Sequence, residues 1–225
     1  MTDLTITDFV GEAWWFVGGV ILLGYIVQTV QQRRARMAGE RSRAVSDRAT
    51  GAVLGSATGD ALGAGYEFTN PAPDQEIAMV GGGGFGWAPG EWTDDTQMAV
   101  AILDVIATGS RDLDAIASNF LTWYSAGPAD VGIQTSSVLS SAAVPEDLAG
   151  AAAAFMEANP RSAGNGALMR TAPVALTALD DRTEIARLAG SIASLTHAHP
   201  NSVAACVLWS LAIQEAITTA EPDQV

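Results

Sequence analysis

Lysine is absent from this chain, and all 11 of its basic side chains are arginine. Six of them (Arg33, Arg34, Arg36, Arg41, Arg43 and Arg48) fall in one short segment, and from residue 49 onward five Arg face 20 Asp plus Glu, a net of −15. So acidic a body excludes nonspecific binding to a nucleic-acid backbone, and a phosphate-bearing ligand would need a metal ion or backbone N–H groups to hold it. The one cysteine, Cys206, lies in the apolar run 203–209, which excludes a disulfide framework or a cysteine-rich zinc site and predicts a buried, inert thiol. With only two histidines, His197 and His199, a tetrahedral histidine site is poorly supplied, whereas the abundance of carboxylates favours Mg²⁺, Mn²⁺ or Ca²⁺ over Zn²⁺. Convincing period-two alternation is missing from Ser46 to Ala220, and so is any repeat of 20–50 residues.

What is present is apolar and helical. Hydrophobic residues make up 48% of 225, ample for a buried core. Helical spacing recurs at about 48–64, 94–108, 112–124, 145–158, 166–178, 182–195 and 201–218, predicting an all-α body. Ahead of it, Ala13 to Gln32 is a stretch of 20 uncharged residues, which at ~1.5 Å per residue spans a bilayer core of ~30 Å. Asp3, Asp8 and Glu12 precede the stretch and the arginine cluster follows it. The positive-inside rule then predicts a single-pass membrane helix with the body in the cytoplasm; the alternative is a buried helix of a soluble cytoplasmic protein. The expected organisation is a tail and transmembrane helix over 1–32, a basic juxtamembrane linker over 33–47 and a helical domain over 48–225.

Within the body, Gly90-Glu91-Trp92-Thr93-Asp94-Asp95-Thr96-Gln97 joins the glycine-rich segment 81–90 to a helical pattern, so Thr93, Asp94 and Asp95 fall at a helix start. Two readings are open. The side chains are N-caps, worth about 1 kcal/mol, or they are three oxygen ligands for a hard divalent cation. Gly51, Gly55, Gly59 and Gly63 recur every four residues on one helix face, where a neighbouring backbone or a ligand must come close to offset about 1 kcal/mol of lost helix propensity each. Glu67 sits between Tyr66 and Phe68, either as an exposed loop carboxylate or, in apolar surroundings, as a proton-transfer group of raised pKa. Gly164-Asn165-Gly166 opens a helical pattern, as an ordinary Asn-Gly turn or as an anion-binding helix start whose Asn reaches sugar hydroxyls. His197 follows another helix, as a partner of its dipole or as a ligand-side histidine.

Four blocks in order, GAVLGSATGDALGAGYEF (51–68), GEWTDDTQMAVAI (90–102), GNGALMRTAPVAL (164–176) and LTHAHPNSVAAC (195–206), resemble the ADP-ribosylglycohydrolase family, relatives of the dinitrogenase-reductase-activating glycohydrolase. The resemblance covers roughly 48–220. It implies a compact all-α fold, two Mg²⁺ or Mn²⁺ ions, and hydrolysis of the glycosidic bond between ADP-ribose and a protein side chain or small acceptor. By position, Thr93, Asp94 and Asp95 resemble the family's first metal-binding triplet, and Glu67 its carboxylate beside the metals. Gly164, Asn165 and Gly166 resemble the loop that holds ribose and diphosphate, and His197 a substrate-side histidine. The family's second acidic block, of Gly-Gly-Asp-Thr-Asp-Thr type, is not found up to Val225, so a two-metal centre is expected to be incomplete. A catalytically impaired ADP-ribose-binding module at the membrane is the alternative expectation.

Overall fold

In the computed structural model, residues 6–219 are described, with side chains from residue 28 onward except Val30. They form seven α-helices and three short 3₁₀ segments, with a single isolated bridge between Gly82 and Trp87, so the all-α expectation holds. The chain divides into two compact units, Met1–Asp47 and Arg48–Val225. Helix α1 (Ile6–Gly63) contains all of residues 33–47, so the basic segment is helical. The apolar stretch 13–32 lies on the backbone of α1, but the side chains that would carry its membrane role are outside the described residues up to residue 27.

In the second unit, α2 (Asp94–Ile106), α3 (Leu113–Ser125), α4 (Ile133–Ser141), α5 (Leu148–Ala158) and α6 (Arg182–Ser194) share one core. It is built from Met98, Ile102, Ile116, Phe120, Val138, Leu148, Leu188 and Ile192, each with at most 1% of its surface exposed. Aspartates cap two of these helices. Asp112 Oδ1 accepts the N–H groups of Asp114 and Ala115, and Asp181 Oδ1 those of Thr183 and Glu184. Helix α7 (Pro200–Thr219) is long and apolar enough to cross a membrane by length and composition. It packs on α6 through one face, where Ser202, Cys206, Ser210, Gln214 and Ile217 are buried, and leaves Leu208 and Trp209 exposed; Cys206 is the buried free thiol expected.

Two expectations are corrected. Residues 166–178 form turns and a 3₁₀ segment, Ala172–Leu176, because Pro173 has no N–H to donate and disfavours helical geometry in the residue before it. Helix α4 went unseen because its buried face mixes Gln134 and Thr135 with Val138 and Leu139, which blurs the apolar period.

The glycine face of α1 is corrected as well. No backbone lies against it: a Cβ placed on Gly51, Gly55, Gly59 or Gly63 would meet nothing within 4 Å among the described residues. Gly55, Gly59 and Gly63 instead border an open cavity of about 530 Å³ shared with Asp60, Thr93 and Asp95. The close approach occurs just beyond the helix. A Cβ on Gly65 would collide with the carbonyl of Gly81, sitting 2.9 Å from its carbon, and Gly81 itself holds φ +67°. The glycine-rich loop is drawn against the end of α1 there, pinned by Tyr66 Oη, which donates to Ala78 O at 2.9 Å and accepts from Ala78 N at 3.0 Å.

Chemical denaturation separates the two kinds of glycine. Gly55→Ala, on an open helix face, should raise stability by about 0.5–1 kcal/mol. Gly65→Ala should lower it by about 1–3 kcal/mol, since backbone must move to admit the methyl group.

Candidate active site

The start of α2 is held by a residue from α1. Asp60 Oδ2 accepts the N–H groups of Thr93 (3.0 Å) and Thr96 (3.1 Å), and Thr93 Oγ1 donates to Asp60 Oδ1 at 2.8 Å. Thr93 Oγ1 is in turn the N-cap of α2 and accepts from Asp95 N at 3.4 Å. Thr93 and Asp60 thus meet three N–H groups at this helix start, those of Thr93, Asp95 and Thr96. Asp94 and Asp95 occupy the first turn, where the helix dipole favours negative charge and where each carboxyl also takes a backbone hydrogen bond.

Both carboxylates face a second cavity of about 350 Å³. Here the fold gathers seven of the eight residues singled out in the sequence: Glu67 from the end of the glycine-faced segment, Asp94 and Asp95 from α2, Gly164, Asn165 and Gly166 from the small-residue loop, and His197 from the turn after α6. Thr93, the eighth, borders the adjoining cavity beneath α1 together with Glu67 and Asp95. Asn165 and Gly164 are exposed at the mouth, whereas His197 is only 2% exposed. Gly166 is a position of close approach, since a Cβ there would lie 2.9 Å from His197 Cε1 and 3.1 Å from Thr135 Oγ1.

The cluster is electrostatically frustrated. Burial, then the neighbouring charges of Asp130, Asp95 and Glu67, push the Asp94 carboxyl up to about 7. Burial, then Asp60 and Asp130, push Asp95 up to about 6. Glu67 is raised by burial and by Asp130, which is close enough to share a proton with it, and Asp130 is itself raised by burial. Among the described residues no salt bridge to an arginine relieves any of these carboxylates. His197 is held neutral, because burial and the charge of Arg170 push its pKa down to about 4.

A hard divalent cation fits this donor set in kind, since every available group is an oxygen. In number the fit is partial: among the described residues no three His, Cys, Asp or Glu side chains come together as one metal-holding group. Asp94, Asp95 and Thr93, with Glu67 alongside, would supply part of a coordination shell and water the rest.

Sequence reasoning missed Asp60, Asp130, Gln134, Thr135, Arg170 and Thr196. Asp60 carried a usable signal, being a lone carboxylate within a run of helical glycines, seven residues before Glu67. Asp130 carried none; a loop aspartate after Pro128 and Ala129 is ordinary turn composition.

The family model described as ADP-ribosylglycohydrolase matches residues 41–225. The chain is 33% identical over 168 residues to an ADP-ribosylarginine hydrolase, Tri1, of Serratia proteamaculans (strain 568), covering 71% of this chain and 44% of that protein. It is 37% identical over 178 residues to the ADP-ribosyl-[dinitrogen reductase] glycohydrolase of Rhodospirillum rubrum, covering 72% and 55%. It therefore spans about half the length of these curated relatives. A solved structure described as an ADP-ribosylglycohydrolase-related protein complex superposes with a TM-score of 0.59 at 29% identity, over 78% of this chain and 58% of that one.

The raised carboxyls fix the sign of a pH dependence. Between the ordinary aspartate value and about 7, the native chain binds more protons than the unfolded one, so unfolding free energy falls as pH rises through that window. In chelator, the melting temperature should drop from about pH 5 to about pH 8. Asp94→Asn should flatten the slope and melt higher than the parent at about pH 8, with added Mn²⁺ rescuing the parent alone. A parent that gains stability across this range contradicts the assignment.

Proposed function

The chain belongs to the ADP-ribosylglycohydrolase family, and from that membership we propose that its acidic cavity hydrolyses the glycosidic bond between ADP-ribose and an acceptor side chain in a divalent-metal-dependent reaction. The observation that carries the proposal is the convergence of four distant segments, bearing Glu67, Asp94 with Asp95, Gly164 to Gly166, and His197, on one cavity. An arginine acceptor is favoured, because the Serratia relative is named for that linkage.

In this reading the open loop 164–166 and the His197 ring hold the ligand's polar oxygens, and Asn165, exposed at the mouth, reaches ribose hydroxyls. Glu67 is half-buried and its proton affinity is raised by burial and Asp130, the setting of a general base or acid. It takes a proton from the water whose oxygen bonds to the anomeric carbon. The bond from that carbon to the acceptor nitrogen breaks, the nitrogen is protonated as it leaves, and free ADP-ribose and the unmodified side chain result. Mg²⁺ or Mn²⁺, when bound by Asp94, Asp95 and Thr93, supplies the positive charge that polarises the water and offsets the crowded carboxylates. Two ions remain the family-level expectation.

The 20 uncharged residues 13–32 and the arginines that follow support a membrane tether with the cavity on the cytoplasmic side. A second reading, a module that binds ADP-ribose without cleaving it, is favoured by the partial donor set among the described residues.

Incubating the chain with an ADP-ribosylated arginine peptide, in Mn²⁺ or Mg²⁺ and then in chelator, should release free ADP-ribose only with metal. Glu67→Gln should slow release by about 10²-fold or more. Calorimetric binding of ADP-ribose without turnover would favour the binding module, and neither binding nor release would end both readings.

A further inference from the structure

The largest wholly buried side chain in the second unit is a cation. Arg170 is 0% exposed, and among the described residues it has no carboxylate partner. Its guanidinium carbon lies 4.4 Å from the centroid of the Phe120 ring, a cation–π arrangement. Nη1 donates to Met98 Sδ at 3.5 Å, and Nη2 donates to Ile192 O at 3.4 Å and to Thr196 Oγ1 at 2.6 Å. Thr196 is also 0% exposed, and its Oγ1 lies 2.8 Å from His197 Nδ1.

Proton counting along this chain has one economical solution. Arginine only donates, so Thr196 Oγ1 accepts from Arg170. The hydroxyl has a single proton, and the acceptor within reach is His197 Nδ1. The reverse arrangement would aim an Nδ1–H at an oxygen already receiving an arginine N–H and strand the hydroxyl proton in a buried site, which is costly. Nδ1 therefore accepts, and the proton of the neutral ring sits on Nε2. The Nε2 edge abuts the small-residue loop: a Cβ would stand 3.1 Å from Nε2 if placed on Gly166 and 3.5 Å if placed on Gly164. Glycine at both positions leaves that edge reachable from the cavity that all three residues border.

We propose that Arg170 and Thr196 are positioning residues that lock His197 in its Nε2–H form, making it a neutral donor to an oxygen of the bound ligand. The lone pair a metal or a base function would need on Nε2 is occupied by a proton. His197 thus reads an oxygen acceptor such as a phosphate or sugar hydroxyl. The identity of that oxygen as part of ADP-ribose rests on the function proposed above, whereas the tautomer does not. Gln134 keeps the turn in place, its Nε2 donating to Thr196 O at 3.0 Å while its Oε1 accepts from Ser162 Oγ at 2.8 Å.

The test is a ¹⁵N–¹H long-range correlation spectrum of the full chain in detergent micelles, labelled at histidine. With only two histidines, the His199→Asn background leaves His197 as the sole imidazole. The expected spectrum at neutral pH is that of the Nε2–H tautomer, retained in Thr196→Ser and lost to a mixed or Nδ1–H pattern in Thr196→Val. ADP-ribose affinity, read by calorimetry, should fall about 10-fold in Thr196→Val and recover in Thr196→Ser. An Nδ1–H or doubly protonated ring in the parent overturns the proposal without any variant having to fold, as does an unchanged tautomer in folded Thr196→Val. The expected tautomer with no ADP-ribose binding supports the lock and overturns the choice of ligand.

Discussion

Asp60 is the residue on which the arrangement turns. Its two oxygens take the N–H groups of Thr93 and Thr96 and the hydroxyl of Thr93, fastening the glycine-faced segment of α1 to the start of α2. Charged hydrogen bonds to otherwise free helix donors are each worth about 1.5–3 kcal/mol, which is enough to fix this junction. Asp60 and Thr93 take three of the N–H groups at this helix start, and Asp94 and Asp95 follow in its first turn. They turn to a cavity where Glu67 and Asp130 already sit, and like charge accumulates there at a cost the fold does not itself relieve. On the function proposed above, a divalent cation would relieve this crowding, with Asp94 and Asp95 among its ligands.

Much of this was legible in the chain before any coordinates. Strong apolar periods located α2, α3, α5, α6 and α7 to within a few residues. The four sequence blocks named residues that prove to share a cavity. The failures have physical causes. Helix α4 buries Gln134 and Thr135, so its inward face looks polar; the run 166–178 has the spacing of a helix but carries Pro173. The glycine row of α1 was read as a face for close packing or ligand approach; no backbone packs on it, and it borders an open cavity, while the close contact is made at Gly65 in the 3₁₀ segment that follows. Asp130 and Arg170 act through neighbours distant in sequence, which no local pattern encodes.

The opposite wall of the cavity is organised by a positive charge as deliberately as the acidic wall is by negative ones. Arg170 is buried against Phe120 and the end of α6, and its pKa is pushed down only to about 10 by that burial, so it stays charged at neutral pH. From there its influence reaches the cavity through one hydroxyl and one imidazole. On the proposed function, the carboxylates would take a cation, and the neutral His197 with its neighbouring glycines would meet the oxygens of an anionic ligand.

The central claim is that Asp94 and Asp95 hold a divalent cation. Electron paramagnetic resonance of Mn²⁺, titrated with the full chain at neutral pH, reports it directly through loss of the free-ion signal. The account predicts saturable loss of that signal with the parent chain and a signal left intact by the Asp94→Asn, Asp95→Asn double variant. A parent that leaves all Mn²⁺ free, or a double variant that binds it equally well, would contradict the account.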